Sequence, residues 1–169
     1  MWNDTDTPLA YLITFRTYGT WLHGDERGSV DRFHNQYNWP CLQPDAKRLT
    51  ENLRRLSYEI VTLNAKQRES TEAAIRETCV FRKWFLHAVN VRTNHVHVVV
   101  SIGTTAPGRA LNDLKAYATR RMRRSACWPS ERSPWADKGS RRYLWNASSV
   151  EKAVDYVLNR QGAALPDFD

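Results

Sequence analysis

Alternation between apolar and polar positions predicts four β-strands in this chain. The segments concerned are rich in the β-branched and aromatic residues that favour strands. The strands are predicted over Leu9–Thr17, Trp84–Val91, His95–Ile102 and Arg141–Trp145. The second and third are separated only by residues 92–94. A connection this short predicts that they pair as an antiparallel hairpin.

Apolar residues that recur every three or four positions predict four helices around these strands. They are predicted over Ala46–Leu56, Asn64–Val80, Ala106–Ala126 and Ser148–Gly162. The last one opens with the Ser-x-x-Glu spacing of a capping box, at Ser148 and Glu151, and ends at a glycine. The order of elements predicts an α+β fold: a ferredoxin-like antiparallel sheet with helices on one face and a C-terminal helix that carries Tyr156.

The length of 169 residues predicts a single domain, residues 1–169, with an inserted loop and helix at about residues 18–64. A long irregular loop inside a compact domain is more often functional than idle. This one mixes cations with aromatic rings, a composition that suits a hairpin-reading or base-stacking surface, with packing on the sheet edge as the alternative. The residues concerned are Arg16, Tyr18, Trp21, His23, Arg27, Arg32, His34, Tyr37 and Trp39.

The charge balance adds a class of partner to this picture. Lysine and arginine outnumber acidic residues by 25 to 18, for a net charge of +7, which favours an anionic partner, most commonly nucleic acid. The three cysteines are far apart and form no metal-binding pair, which is typical of a reduced intracellular protein. No apolar run is long enough to span a membrane and no signal peptide is recognised, so we expect a cytoplasmic, nucleoid-associated protein without membrane contact.

The pair His95 and His97 is the clearest sign of chemistry. Both lie in the segment NHVHVVV, and residues two apart on a strand point to the same face. The two imidazoles are therefore expected side by side, with Val96, Val98 and Val100 directed into a core on the other face. Such a pair is half of a site for a divalent metal. The alternative is two ordinary polar residues on a half-exposed sheet.

Two tyrosines are candidates for a nucleophile. Tyr156 is placed roughly 140° from the centre of the apolar stripe of the last helix, so its hydroxyl is expected to point away from that helix's core contact. Tyr117 is similarly off the stripe of the basic helix, where it suits base stacking or a phosphate contact. A tyrosine hydroxyl can attack a phosphodiester, and a metal held by the histidines would neutralise the developing charge.

These features together resemble a known family. The His-x-His strand, the basic helix after it, the segment RRYLW and the terminal segment AVDYVLNRQG are similar to the HUH single-tyrosine transposases, which include small insertion-sequence transposases and their REP-associated relatives. The resemblance covers about residues 9–17 and 65–162. It implies that His95 and His97 bind Mg²⁺ or Mn²⁺. It also implies that Tyr156 attacks single-stranded DNA next to a hairpin and leaves a 5′-phosphotyrosine and a free 3′-OH.

The third metal ligand departs from the family pattern. Family members usually carry Gln or Asn four residues after the tyrosine, where this chain has Arg160. Asn159 is nearer Tyr156 on an ideal helix and Gln161 lies on the apolar stripe, so both stay candidates. The DNA-binding residues are predicted to be Arg16, Lys115, Tyr117, Arg120, Arg121, Arg124, Arg141 and Arg142. Relatives include monomers and dimers that exchange the tyrosine helix, so a homodimer is one expected state.

Two other functions remain open from the sequence. A domesticated protein could recognise a hairpin nucleic acid without catalysis, which the altered position after the tyrosine favours. An unrelated zinc hydrolase could complete a metal site with His23, His34 or His87.

Overall fold

The structure is a computed structural model that describes residues 6–20 and 45–167. Every strand and helix predicted from the sequence is present, with ends that differ by a few residues. In chain order the elements are β1 (Ala10–Arg16), α1 (Ala46–Arg54), α2 (Ala65–Arg82), β2 (Phe85–Val91), β3 (His95–Ser101), α3 (Pro107–Arg124), β4 (Ser140–Leu144) and α4 (Ala147–Asn159). None of these helices is long and apolar enough to cross a bilayer.

The strands form one antiparallel sheet in the order β2-β3-β1-β4. The predicted hairpin of β2 and β3 is confirmed, and the amide of Arg92 closes it with a 2.8 Å hydrogen bond to the carbonyl oxygen of His95. Because β1 and β3 are the central strands, side chains on both lie over the middle of the sheet. The predicted α+β, ferredoxin-like plan is confirmed.

Helices cover both faces of this sheet. Helices α2 and α3 pack together over the face that carries Val96, Val98 and Val100, which belong to the main hydrophobic core. Helix α4 packs on the opposite face, where Leu12 and Val99 belong to a second, smaller core. The prediction of helices on one face is therefore correct for α2 and α3, whereas the helix that carries Tyr156 packs on the opposite face.

The start and the end of α4 differ from the prediction. Asn146, not Ser148, is the N-cap: its backbone is extended and its side chain accepts the amide hydrogen of Ser149 at 2.9 Å. The predicted capping box at Ser148 is therefore wrong. The helix ends at Asn159, and Gly162 lies beyond it with a φ of +85°. The end predicted at Gly162 is three residues too late, so residues 160–162 are free of helical geometry.

The predicted insertion is described only in part. Helix α1 forms after the N-cap Asp45, whose side chain accepts two backbone hydrogen bonds, and none of its residues is buried. Tyr18 contacts the ring of Tyr58, and the guanidinium of Arg132 stacks over both rings. The other aromatic and cationic residues singled out in the loop lie outside the described residues: Trp21, His23, Arg27, Arg32, His34, Tyr37 and Trp39.

Candidate active site

The two histidines of β3 lie side by side on the face that α4 covers, with ring centroids 4.7 Å apart. His97 is buried, and its Nδ1 lies 2.7 Å from Oγ1 of Thr14, the residue opposite it on β1. Burial lowers the pKa of His97 to about 3, and the nearby charges of His95 and Arg142 act in the same direction. His97 is therefore a neutral imidazole at physiological pH, the form that binds metals.

The orientation of His95 is held from both sides. Its Nδ1 donates to Oδ1 of Asn94 at 2.7 Å, which orients the ring. Its Nε2 lies 3.3 Å from Oε1 of Gln161, while Nε2 of the same amide donates to the carbonyl oxygen of Tyr156 at 2.9 Å. A ring nitrogen and an amide oxygen that can both bind a metal therefore lie next to each other.

These contacts separate the two candidates for a third ligand. Gln161 contacts His95 directly and lies close enough to His97 to affect the pKa of that imidazole. Asn159 is exposed and instead donates to Oδ1 of Asp155 at 2.9 Å, so the structure does not bring it to the histidines. Two imidazole nitrogens and an amide oxygen form a donor set that can bind a divalent metal.

Tyr156 lies at this site. Its ring centroid is 5.3 Å from that of His97, and the ring packs against the smaller core. The expectation that it points away from the helix's core contact is wrong. The buried centre of α4 is formed by Ala153 and Val157, about 80° from Tyr156 on an ideal helix, while Leu158 at the far side of the predicted stripe is 53% exposed. The helix is therefore rotated toward its tyrosine edge.

Polar residues of all four strands form one row beneath α4. Asn90, His97, Thr14 and Ser140 are paired in register across the sheet, from β2 to β4. Asn90 ties the row to α4 by donating to the carbonyl oxygen of Val157 at 2.9 Å. The sequence analysis did not single out Thr14, Asn90, Asn94 or Ser140. Alternation along β1 could have placed Thr14 on the polar face, but not opposite His97.

The arginines predicted to bind DNA fall on both faces of the sheet. Arg16 is opposite His95, and Arg142 is opposite Leu12, so both project toward the α4 side. Arg142 is close enough to His97 to lower its pKa. The neighbouring Arg141 points the other way: a Cβ added at Gly108 of α3 would come within 2.8 Å of its guanidinium.

Helix α3, which carries five of the predicted DNA-binding residues, packs on the sheet face away from the histidines, and its Lys115 reaches toward the end of β1. Lys115 donates to the carbonyl oxygens of Ala136 and Lys138, and Arg121 pairs with Glu77 of α2. The guanidinium of Arg120 lies over the ring of Tyr117 at 5.1 Å. Tyr117, Arg121 and Arg124 line a shallow groove with α2. The rival nucleophile Tyr117 is therefore separated from the histidines by the sheet.

The zinc hydrolase alternative gains no support from His87, whose Nε2 lies 2.7 Å from Oγ of Ser101. Within residues 6–20 and 45–167, no three His, Cys, Asp or Glu side chains are grouped to hold a metal. The other two histidines of that alternative, His23 and His34, lie outside the described residues.

Comparisons with known proteins were made for both sequence and structure. No curated protein matches the sequence. One solved structure that matches is a REP-associated tyrosine transposase bound to a REP hairpin, with 11% identity over 93% of this chain and 69% of that one and a TM-score of 0.48. Another is a protein of Deinococcus radiodurans R1 whose assignment as a transposase is provisional, with 14% identity over 96% of this chain and 97% of that one and a TM-score of 0.47.

A family model gives the decisive comparison. The model described as "Transposase IS200 like" matches residues 54–158, more than half of the chain, and this range contains His95, His97 and Tyr156. The chain therefore belongs to the IS200-like family of transposases, within the HUH tyrosine transposases.

Proposed function

We propose that this transposase cuts and rejoins single-stranded DNA through Tyr156, with a divalent metal held by His95, His97 and Gln161. The observation that carries the proposal is the contact between the Tyr156 and His97 rings, at 5.3 Å between centroids. This contact supports the proposal, because it brings the proposed nucleophile close to the imidazole that is proposed to bind the metal.

The reaction that these residues support is a transesterification. The Tyr156 oxygen attacks the phosphorus, the phenolic proton is released, and the bond from phosphorus to the 3′ oxygen breaks. The 3′ oxygen takes up a proton and leaves as a free hydroxyl, while the 5′ phosphate stays on the tyrosine. The reverse attack by a 3′-OH rejoins a strand without ATP.

The metal, Mg²⁺ or Mn²⁺, would supply charge neutralisation and orientation of the attacked phosphate. The protein residues around it have separate tasks. Thr14 and Asn94 hold the two imidazoles through their Nδ1 atoms, which directs Nε2 of each ring outward. The guanidinium of Arg142 adds a fixed positive charge next to His97, where the transition state gains negative charge.

Hairpin DNA is the substrate that the family resemblance implies. We propose that the α3 face adds contacts to its backbone through Arg120 and Arg124, because neither forms an ion pair with an acidic group among the described residues. Arg141 and Arg121 lie on the same face, although Glu77 already neutralises Arg121. These contacts would be sequence-independent and strongly weakened by salt.

The test is a covalent adduct assay on a denaturing gel. Labelled single-stranded hairpin oligonucleotides from the sequence that flanks the gene are incubated with protein and either Mn²⁺ or EDTA. We expect a metal-dependent band that disappears in Tyr156→Phe, a change that removes one oxygen. Tyr117→Phe is the matched control and is expected to keep the band.

The alternative function is hairpin binding without catalysis. Arg160 at the fourth position after the tyrosine favours it, whereas the contact between Gln161 and His95 counts against it. Tight hairpin binding with no adduct under either metal would establish the alternative. An adduct that survives in Tyr156→Phe would overturn the assigned nucleophile.

A further inference from the structure

Two polar atoms on the α4 side of the sheet, one in Arg16 and one in Ser140, are buried without a hydrogen-bond partner. Nε of Arg16 is buried and makes no hydrogen bond, and Arg16 takes part in no ion pair among the described residues. The hydroxyl of Ser140, a residue that is 7% exposed, makes no hydrogen bond either. Because buried polar groups are almost always satisfied in proteins, two such donors at one place indicate a missing acceptor.

Both side chains lie next to the proposed active site. Ser140 is opposite Thr14, which holds His97, and Arg16 is opposite His95. Arg16 is two residues beyond Thr14 on β1, about 7 Å along the strand. Arg16 and Ser140 therefore lie beside the His97–Tyr156 contact, toward the end of the sheet where β1 pairs with β4.

A second cation reaches this end of the sheet from α3. The ammonium of Lys115 donates to the carbonyl oxygens of Ala136 at 2.7 Å and Lys138 at 2.9 Å, and a third N–H remains available. Burial lowers the pKa of Lys115, which the exposed carboxylate of Asp137 opposes and the nearby charge of Arg16 reinforces. The amide of Ala136 donates to the carbonyl oxygen of Arg16 at 2.9 Å, so Lys115 and Arg16 both bond to Ala136. Neither cation forms an ion pair with a carboxylate among the described residues.

We propose that Arg16, Ser140 and Lys115 form a binding site for one backbone phosphate of single-stranded DNA, next to the phosphate that Tyr156 attacks. A phosphate carries the charge and the acceptor oxygens that these three donors lack. The inference rests on the proposed function, because it assumes that a strand crosses this face. Its role is to fix which phosphodiester bond comes to the tyrosine.

Neutral linkages in the DNA provide the test. The Tyr156→Phe protein, which cannot cut, is titrated with hairpin oligonucleotides in which one methylphosphonate at a time replaces a phosphate of the single-stranded part. We expect one linkage whose neutralisation weakens binding about tenfold, as the loss of a charge-assisted hydrogen bond predicts. In Arg16→Gln and in Ser140→Ala, added separately, binding to the normal oligonucleotide weakens and that same linkage loses its effect.

Arg141→Gln is the matched control, because it removes the same charge from the neighbouring strand on the opposite face. It should keep the sensitive linkage. The slope of log affinity against log salt should also become shallower by about 0.7 in Arg16→Gln, as for one lost phosphate contact on a single strand. Ser140→Ala removes only one oxygen and guards against a folding defect in the arginine variant.

Several outcomes would overturn the proposal. The first is that no methylphosphonate weakens the binding of hairpin DNA to the Tyr156→Phe protein. The second is that the sensitive linkage remains sensitive after Arg16→Gln or Ser140→Ala is added. The binding scan is independent of the adduct assay. A covalent adduct with no sensitive linkage would support the proposed function and rule out the phosphate site. A sensitive linkage with no adduct would support the phosphate site and rule out the proposed cleavage reaction.

Discussion

Gln161 lies against His95, with Oε1 3.3 Å from Nε2, although it follows the last residue of α4 by two positions. The contact exists because the helix stops at Asn159 and the chain turns back, with the Gln161 amide donating to the carbonyl oxygen of Tyr156. The end of the helix thus brings the proposed nucleophile and the proposed amide ligand to the same side of the histidines.

Replacement of Gln161 should weaken the metal site without disturbing the fold. We expect Gln161→Ala to raise the Mn²⁺ concentration at half-saturation about tenfold or more, because one of three protein ligands is lost. Asn159→Ala is the control and should stay within about twofold, since Asn159 contacts Asp155 rather than the histidines. Titration followed by the electron paramagnetic resonance of free Mn²⁺ measures both. Equal losses in the two variants would contradict the assignment.

Thr14 should affect metal binding although it is not one of the proposed metal ligands. Its hydroxyl holds Nδ1 of His97 at 2.7 Å, and Thr14→Val keeps the shape while removing that bond. We expect a loss of about tenfold in Mn²⁺ affinity, as for other residues that orient a ligand. Thr78→Val, on α2, removes a hydroxyl that bonds only to its own helix and should leave affinity unchanged. Unchanged affinity in Thr14→Val would show that His97 needs no such support.

Because α4 packs on the sheet of its own chain, one chain can supply all four groups of the proposed site, and we expect it to do so in solution. A mixture of Tyr156→Phe and His97→Ala proteins should therefore form no adduct. If dimers exchanged the tyrosine helix, mixed dimers would contain one intact site and the adduct would reappear. Each variant alone serves as the blank in this complementation assay.

Cys79 should make stability depend on alkaline pH. Burial raises the pKa of its thiol to about 11, with Arg76 acting weakly in the opposite direction, whereas an unfolded thiol titrates near 9.0. Above pH 9.0 the unfolded state releases a proton that the folded state keeps, so the free energy of unfolding should fall as pH rises toward 11. Urea unfolding in steps across this range should show a shallower fall in Cys79→Ala. Identical slopes in the two proteins would contradict the burial effect.

The core between the sheet and the helical pair should dominate stability. Leu114 of α3 is fully buried, and Leu114→Ala should lower the free energy of unfolding by about 2–5 kcal/mol. Leu53 of α1 is 42% exposed, and Leu53→Ala should cost less than about 1 kcal/mol. Urea unfolding measures both, and similar costs would mean that α1 is packed more tightly than its exposure indicates.

The sequence predicts the fold and the histidine pair well because both follow from alternation, which is local. The same alternation assigns Thr14 and Arg16 to one face of β1, but strand register decides that they meet His97 and His95. Register depends on contacts between distant segments, and no local pattern contains it. The rotation of α4 toward Tyr156 likewise depends on what the helix packs against.

The sequence does not show whether Asn159 or Gln161 is the third metal ligand, because that depends on where α4 ends. An ideal helix that continues to Gly162 puts Gln161 on the apolar stripe, and the observed end at Asn159 removes that constraint. The N-cap was misplaced because Ser148 and Glu151 have the spacing of a capping box, while Asn146 has the extended backbone that a cap requires.

The alternation of β3 limits which insertions and deletions the neighbouring turn can accept during evolution. A slip of one position in its pairing would move His95 and His97 into the hydrophobic core beneath α2 and α3 and bring Val96, Val98 and Val100 under the tyrosine. Insertion or deletion of a single residue in the 92–94 connection would shift that pairing. A substitution in this turn leaves the pairing in place, whereas a change in its chain length would exchange the two faces at once. We therefore expect homologues to conserve the number of residues there.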